Sequence, residues 1–218
     1  MPAGIRSMLL QAVCGFVAMF LVMGAVLGWC IRETRLVFKF EDAMRNWRLG
    51  ARGEQSVAER LADPQLATAG YRAFHDLPGD GDWNVDHVVV GVGGVFVIET
   101  KACVHRRSKW KQPEHKVFYD GHTLRFPWRV DDRAVGQAEA NGRWVRGKIG
   151  PYAPKDMPVQ AVIVVPGWWV ESQGDFQIKA MNEKYLVDYL AGTKPRFTPE
   201  QLHGINSRLD ELCRTVEF

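Results

Sequence analysis

The hydrophobic pattern of this chain begins with a run that has no period. Residues 8–31, MLLQAVCGFVAMFLVMGAVLGWCI, are apolar on every side of a helix, and Gln11 is their one strongly polar side chain. Crossing the hydrocarbon core of a bilayer takes about 20 helical residues, so the run predicts a transmembrane helix. A cleaved leader has a shorter apolar core, about 7–15 residues, followed by small residues at the cleavage site. Here the run ends in Gly28-Trp29-Cys30-Ile31 and then charge. Trp29 stands where an interfacial aromatic belongs, and a retained anchor over 1–31 is the expectation. Arg32, Arg35 and Lys39 follow the span, and only Arg6 precedes it. The bias of basic residues toward the cytoplasm then predicts a single-pass protein of the cell (inner) membrane with its soluble bulk on the cytoplasmic side.

A charged and aromatic connector occupies 32–47, and from Gly50 the period becomes helical. Glu54, Val57, Ala58 and Leu61 share one stripe, so 53–63 predicts an amphipathic helix that Pro64 ends. Tyr71–Leu77 reads as a short strand and 78–82 as a loop. The clearest pattern is NVDHVVVGVGGVFVIETK, residues 84–101, where two Val/Ile/Phe-rich runs flank a Gly-rich turn. That is a β-hairpin signal. Further on, Lys116–Leu124 predicts a second hairpin, 132–147 a helix, Val159–Val165 a buried strand, Phe176–Ala180 a strand and 182–191 a helix. Thr198-Pro199-Glu200-Gln201 opens a final helix, with Thr198 as N-cap and Pro199 at the first helical position. The order predicts an α/β domain with a mixed central sheet flanked by helices, plus one N-terminal transmembrane helix.

Composition narrows the partners. Lys and Arg number 28 against 25 Asp and Glu, a net charge of +3. That excludes a polycation, so nucleic-acid binding has to come from a local patch. The four cysteines are scattered with no C-x-x-C pair, which predicts neither a zinc site nor a disulfide framework.

The hairpin brings candidate chemistry together. A turn centred on Val92-Gly93 sets Val90 against Val95 and Asp86 against Glu99. Directly opposed residues project from the same face, roughly 5 Å apart at Cβ, and Lys101 shares that face two residues beyond Glu99. Two carboxylates so placed repel each other, and apolar neighbours worsen the repulsion by excluding water. They need a shared proton, the lysine, or a hard cation such as Mg²⁺. Glu54, on the inward stripe of its helix, is a further candidate for the same cluster. Such a set is read either as an ordinary ion-pair face or as a metal site, and spacing alone leaves both open. His87 follows Asp86 but points to the opposite face and reads as structural. Trp144, Trp168 and Trp169 read as packing residues.

Three blocks resemble the NERD (nuclease-related) domain: GARGEQSV at 50–57, VDHVVVG at 85–91 and GVFVIETK at 94–101. The resemblance covers about 48–150, with 151–218 completing the same α/β domain. It implies a fold and activity like those of the PD-(D/E)XK nuclease superfamily: a restriction-endonuclease-like core, Mg²⁺ dependence with Mn²⁺ as the alternative ion, and phosphodiester hydrolysis. Carried over by motif position, it implies Glu54, Asp86 and Glu99 as metal ligands, Thr100 as a backbone ligand, and Lys101 as the motif lysine. Gln137, in Val135-Gly136-Gln137-Ala138, matches the glutamine of the following helix. Arg106, Arg107, Lys109, Trp110 and Lys111 directly follow the motif and are candidates for nucleic-acid contact, DNA before RNA. Arg143, Arg146 and Lys148 are further candidate phosphate grips. The alternative expectation is a non-catalytic module on the same fold, holding nucleic acid or protein at the membrane.

Overall fold

The computed structural model describes residues 3–214. The outermost two and four residues of the predicted segments 1–31 and 151–218 lie outside the described residues. Helix α1 runs from Ala3 to Leu61. The anchor, the connector and the amphipathic helix predicted separately are thus one helix, because no proline interrupts the chain between Pro2 and Pro64. Among the described residues it is the one helix long and apolar enough to cross a membrane, and residues 14–31 are exposed along it. By compactness the chain divides into two units, residues 1–48 and 49–218.

In the second unit the remaining helices are α2 (Pro64–Thr68), α3 (Ala134–Ile149), α4 (Glu183–Ala191) and α5 (Pro199–Arg214). Pro64 opens α2 as well as following α1: Asp63 caps it, its carboxylate accepting from the Gln65 N–H. The strands are β1 (Arg72–Pro78), β2 (Asn84–Gly91), β3 (Gly94–Thr100), β4 (Lys116–Tyr119), β5 (Leu124–Arg125), β6 (Val130–Asp131), β7 (Val159–Val164), β8 (Trp169–Ser172) and β9 (Lys179–Met181). They form two mixed sheets. The central one has the order β1-β2-β3-β7-β9, and a second has the order β6-β5-β4-β8. In the central sheet β1, β2 and β3 pair antiparallel, while β3, β7 and β9 run parallel. The second sheet goes beyond the single sheet expected.

Both faces of the central hairpin are covered, which is why its strands are apolar without alternation. On one face Val88, Val90, Val95 and Val97 pack with Val145 and Ile149 of α3 and with Leu202, Ile205 and Leu209 of α5. On the other, Val89, Phe96 and Ile98 pack with Val57 and Leu61 of α1 and with Leu186 and Leu190 of α4. The second sheet turns Val117, Tyr119 and Leu124 inward onto Ala134, Ala138 and Ile163. Trp168 is fully buried in that core, as expected, but Trp169, the first residue of β8, is 53% exposed. Trp144 is half-buried and packs edge-on against Trp83. The entry of α5 is a capping box. The Thr198 N–H donates to Gln201 Oε1 at 2.9 Å, and the Gln201 N–H donates to Thr198 Oγ1 at 3.4 Å.

Candidate active site

The hairpin has the register that its turn predicts: Val90 faces Val95 and His87 faces Ile98. One step further along the same ladder stand Asp86 and Glu99, which are 9% and 2% exposed. Strand alternation puts them on the α3 side, with Val88 and Val97.

Helix α3 closes over this pair. Asn141, itself buried, donates from Nδ2 to Glu99 Oε2 at 2.8 Å. Lys101 Nζ lies 2.8 Å from Glu99 Oε1 and also donates to Gln137 Oε1 at 2.8 Å. Gln137 and Asn141 are four residues apart, so they share one face of the helix and hold both ends of the Glu-Thr-Lys segment. Asp86 is turned toward the chain, its Oδ2 accepting the Thr100 N–H at 2.7 Å. Gln137, inferred from sequence only by resemblance, is thus brought to the motif lysine. Gly136 before it stands in open space.

Glu54 of α1 lies within electrostatic range of the same group. Gly53 backs onto the end of β3 so closely that a Cβ would stand 2.6 Å from Ala102 Cβ and 3.4 Å from Thr100 Cγ2. This contact sets the next residue, Glu54, beside the cluster in a half-buried position. Burial, then the charges of Asp86 and Asp76, push its carboxyl above the ordinary range.

The electrostatics are those of crowded, poorly solvated acids. Burial and then the Asp86 charge push Glu99 up to about 7, against the pull of Lys101. Burial also raises Asp86, while the Thr100 N–H and Lys101 draw it back. The donors that face one another are all oxygens, which suits a hard divalent ion and not zinc. Among the described residues no three His, Cys, Asp or Glu side chains stand ready at metal-ligand spacing. Lys101 and Asn141 occupy the Glu99 oxygens instead.

Two members were missed by the sequence reading. Asn141 lay one turn beyond Gln137, and that spacing was its only signal. Asp76 sits in β1 with a left-handed backbone, φ 52°, between the pairs His75–His87 and Leu77–Val85. It accepts from Asn84 Nδ2 at 3.1 Å. No periodicity marks such a residue. His87 is buried away from the cluster, as expected, but it has a partner that spacing did not suggest: its Nδ1 lies 2.9 Å from Nδ1 of His75. Burial, then His75, hold His87 down to about 4. Its other ring nitrogen, Nε2, is buried with no hydrogen-bond partner among the described residues.

The basic segment lies on the loop between β3 and β4, where Arg106, Arg107, Lys109, Trp110 and Lys111 are all exposed. On α3, Lys148 is committed to Asp80 at 2.6 Å, Arg146 leans on the Val159 carbonyl at 3.4 Å, and Arg143 lies 3.7 Å from Glu139.

The mixed central sheet, its hairpin ending in two buried carboxylates and a lysine, makes an α/β domain with an acidic cluster at one end of its core. The chain belongs to the NERD, or nuclease-related domain, family: the family model matches residues 49–166, more than half of the 218 residues. The match takes in β7 as well as the hairpin and α3, and it makes the domain nuclease-related. No curated protein and no solved structure matches the chain.

Proposed function

We propose that the protein is a membrane-anchored, Mg²⁺-dependent nuclease that hydrolyses phosphodiester bonds, with DNA preferred to RNA and Mn²⁺ able to replace Mg²⁺. The observation that carries this reading is the buried Glu99–Asp86 pair, with Lys101 held between Glu99 and Gln137. Burying two repelling carboxylates costs stability, and a site for a hard cation gives that cost a use.

Asp86, Glu99 and Glu54 are the side chains that would hold the ion, with the Thr100 backbone beside them. Bound there, it supplies a water of lowered pKa and charge neutralisation at a phosphate oxygen. The chain's own groups do the rest. Lys101 brings the cationic hydrogen-bond donor nearest the acids, suited to developing negative charge on the phosphate. Gln137 fixes the lysine's reach. Asn141 holds one Glu99 oxygen and thereby the carboxylate's orientation. Arg106, Arg107, Lys109 and Lys111 grip phosphates, and Trp110 offers a base a stacking surface. The anchor is α1, whose apolar residues 8–31 are long enough to span a bilayer, with the domain on the cytoplasmic side.

One observation favours a second reading, a non-catalytic binding module. The Glu99 oxygens are already satisfied by Lys101 and Asn141. The test is cleavage by the full chain in detergent micelles, on labelled single- and double-stranded DNA and RNA. Mg²⁺, Mn²⁺ and EDTA are compared, with Glu99→Ala and Lys101→Ala in parallel. Cleavage that needs the metal and is lost in both variants is the expected result. Folded protein that neither cuts nor binds metal overturns the nuclease reading and leaves the binding module.

A further inference from the structure

The second sheet has an outer face of which the proposed chemistry uses only Trp110 and the lysines flanking it. Its inner residues Val117, Tyr119 and Leu124 are core, so Phe118 and Arg125 face outward by alternation. The register sets them in one row across four strands. Val130 of β6 faces Arg125 of β5, Arg125 faces Phe118 of β4, and Phe118 faces Glu171 of β8. The loop from Lys101 returns over this row. There a concavity of about 650 Å³ is lined by Trp110, Gln112, Phe118, Arg125, Val130 and Gln173.

Its wall is built, not incidental. Gln112 Nε2 donates to the Lys116 carbonyl at 2.7 Å and to the Arg125 carbonyl at 3.0 Å, tying the loop to β4 and β5. Ser108 Oγ accepts from the Gln112 and Trp110 N–H groups at 2.9 and 3.3 Å. Held this way, Trp110 is still 48% exposed and Val130 47% exposed. The exposed Arg125 guanidinium has no ion pair among the described residues.

We propose that this concavity binds an unpaired base of single-stranded nucleic acid, with Trp110 and Phe118 as stacking surfaces and Arg125 as the contact to phosphate or base edge. The chemistry points to that occupant. Two aromatic surfaces and a free guanidinium suit a flat π-system that carries an anionic backbone. The flanking cations Lys109 and Lys111 complement the same charge. A base inside a duplex keeps its faces stacked and cannot enter, so the pocket selects for single strands or frayed ends. The volume lies in the usual range for small-ligand sites, roughly 300–1,000 Å³.

This inference rests on the nucleic-acid reading of the domain but not on cleavage. The test uses the full chain carrying Glu99→Ala, in detergent and EDTA, titrated into a fluorescein-labelled oligothymidylate and followed by anisotropy. Trp110→Ala is expected to weaken binding by about fivefold to a hundredfold, the range for one lost base–aromatic stack. Arg125→Ala should also weaken it, Arg125→Lys should recover part of the loss, and an unlabelled duplex of equal length should compete poorly. Parent-like affinity in both alanine variants, or equal competition by duplex, overturns the proposal. If the native chain cuts but binding ignores Trp110 and Arg125, the pocket falls and the nuclease stands. If binding depends on both residues and no metal supports cutting, the pocket stands and the nuclease falls.

Discussion

Glu99 is only 2% exposed, and burial together with Asp86 moves its carboxyl from 4.5 up to about 7. The folded state therefore holds this proton more tightly than the unfolded chain does. Its contribution to stability is fully present below pH 4.5 and is lost as pH rises toward about 7. The loss is at most on the order of 3 kcal/mol. Glu99→Gln should abolish that slope and be the more stable protein at neutral pH, measured by urea unfolding across the window. Retention of the full slope in the variant would assign it to other groups. Asn141→Ala removes the amide that orients this carboxylate and should cost roughly 1–3 kcal/mol. Mn²⁺ affinity, followed by titration calorimetry, should fall as well, and unchanged affinity would reduce Asn141 to a packing residue. Asp86, Glu99 and Lys101 were legible in the sequence because a strand repeats every two residues and the turn set the register. Asn141 and Asp76 were not. The role of Asn141 depends on how α3 lies over the sheet, and that of Asp76 on a single left-handed backbone angle.

At the scale of elements, two glycines make opposite predictions. In an exposed helix Gly→Ala gains about 0.8–1 kcal/mol from propensity. Gly136 meets nothing within 4 Å, so Gly136→Ala should stabilise by up to that amount. At Gly53 the added methyl would lie 2.6 Å from Ala102 Cβ. Overpacking of that kind costs about 1–3 kcal/mol and outweighs the propensity gain. Gly53→Ala should therefore lower the melting temperature, and it should disturb Glu54 more than Gly136→Ala does. A parent-like melt would mean that α1 can shift away from β3. The hairpin, α3 and α5 were readable because each carries several turns or residues of one period, or a clear cap. Of the second sheet only the β4–β5 hairpin was, since β6 has two residues and β4 meets β8 only across a long stretch of intervening chain. The single long α1 was read as three pieces because composition changes along it while backbone preference does not.

For the whole molecule, a net charge of only +3 means that attraction to nucleic acid is local. Neutralising Lys109 and Lys111 together should flatten the salt dependence of single-strand binding by about 0.7 per charge, read from affinity against log salt concentration. An unchanged slope would place the contacts elsewhere. Removing residues 1–31 should release the chain from the membrane fraction on ultracentrifugation, and retention there would assign attachment to another segment.

Asp76 bears on the fate of many copies together. Strand β1 is an outer strand of the central sheet, and such strands offer unpaired N–H and C=O groups to any neighbouring chain. The left-handed turn at Asp76 interrupts that row of groups, and Pro78 has no N–H to offer. The residue whose charge acts on the acidic cluster thus also breaks the run of backbone groups that edge-to-edge pairing would use.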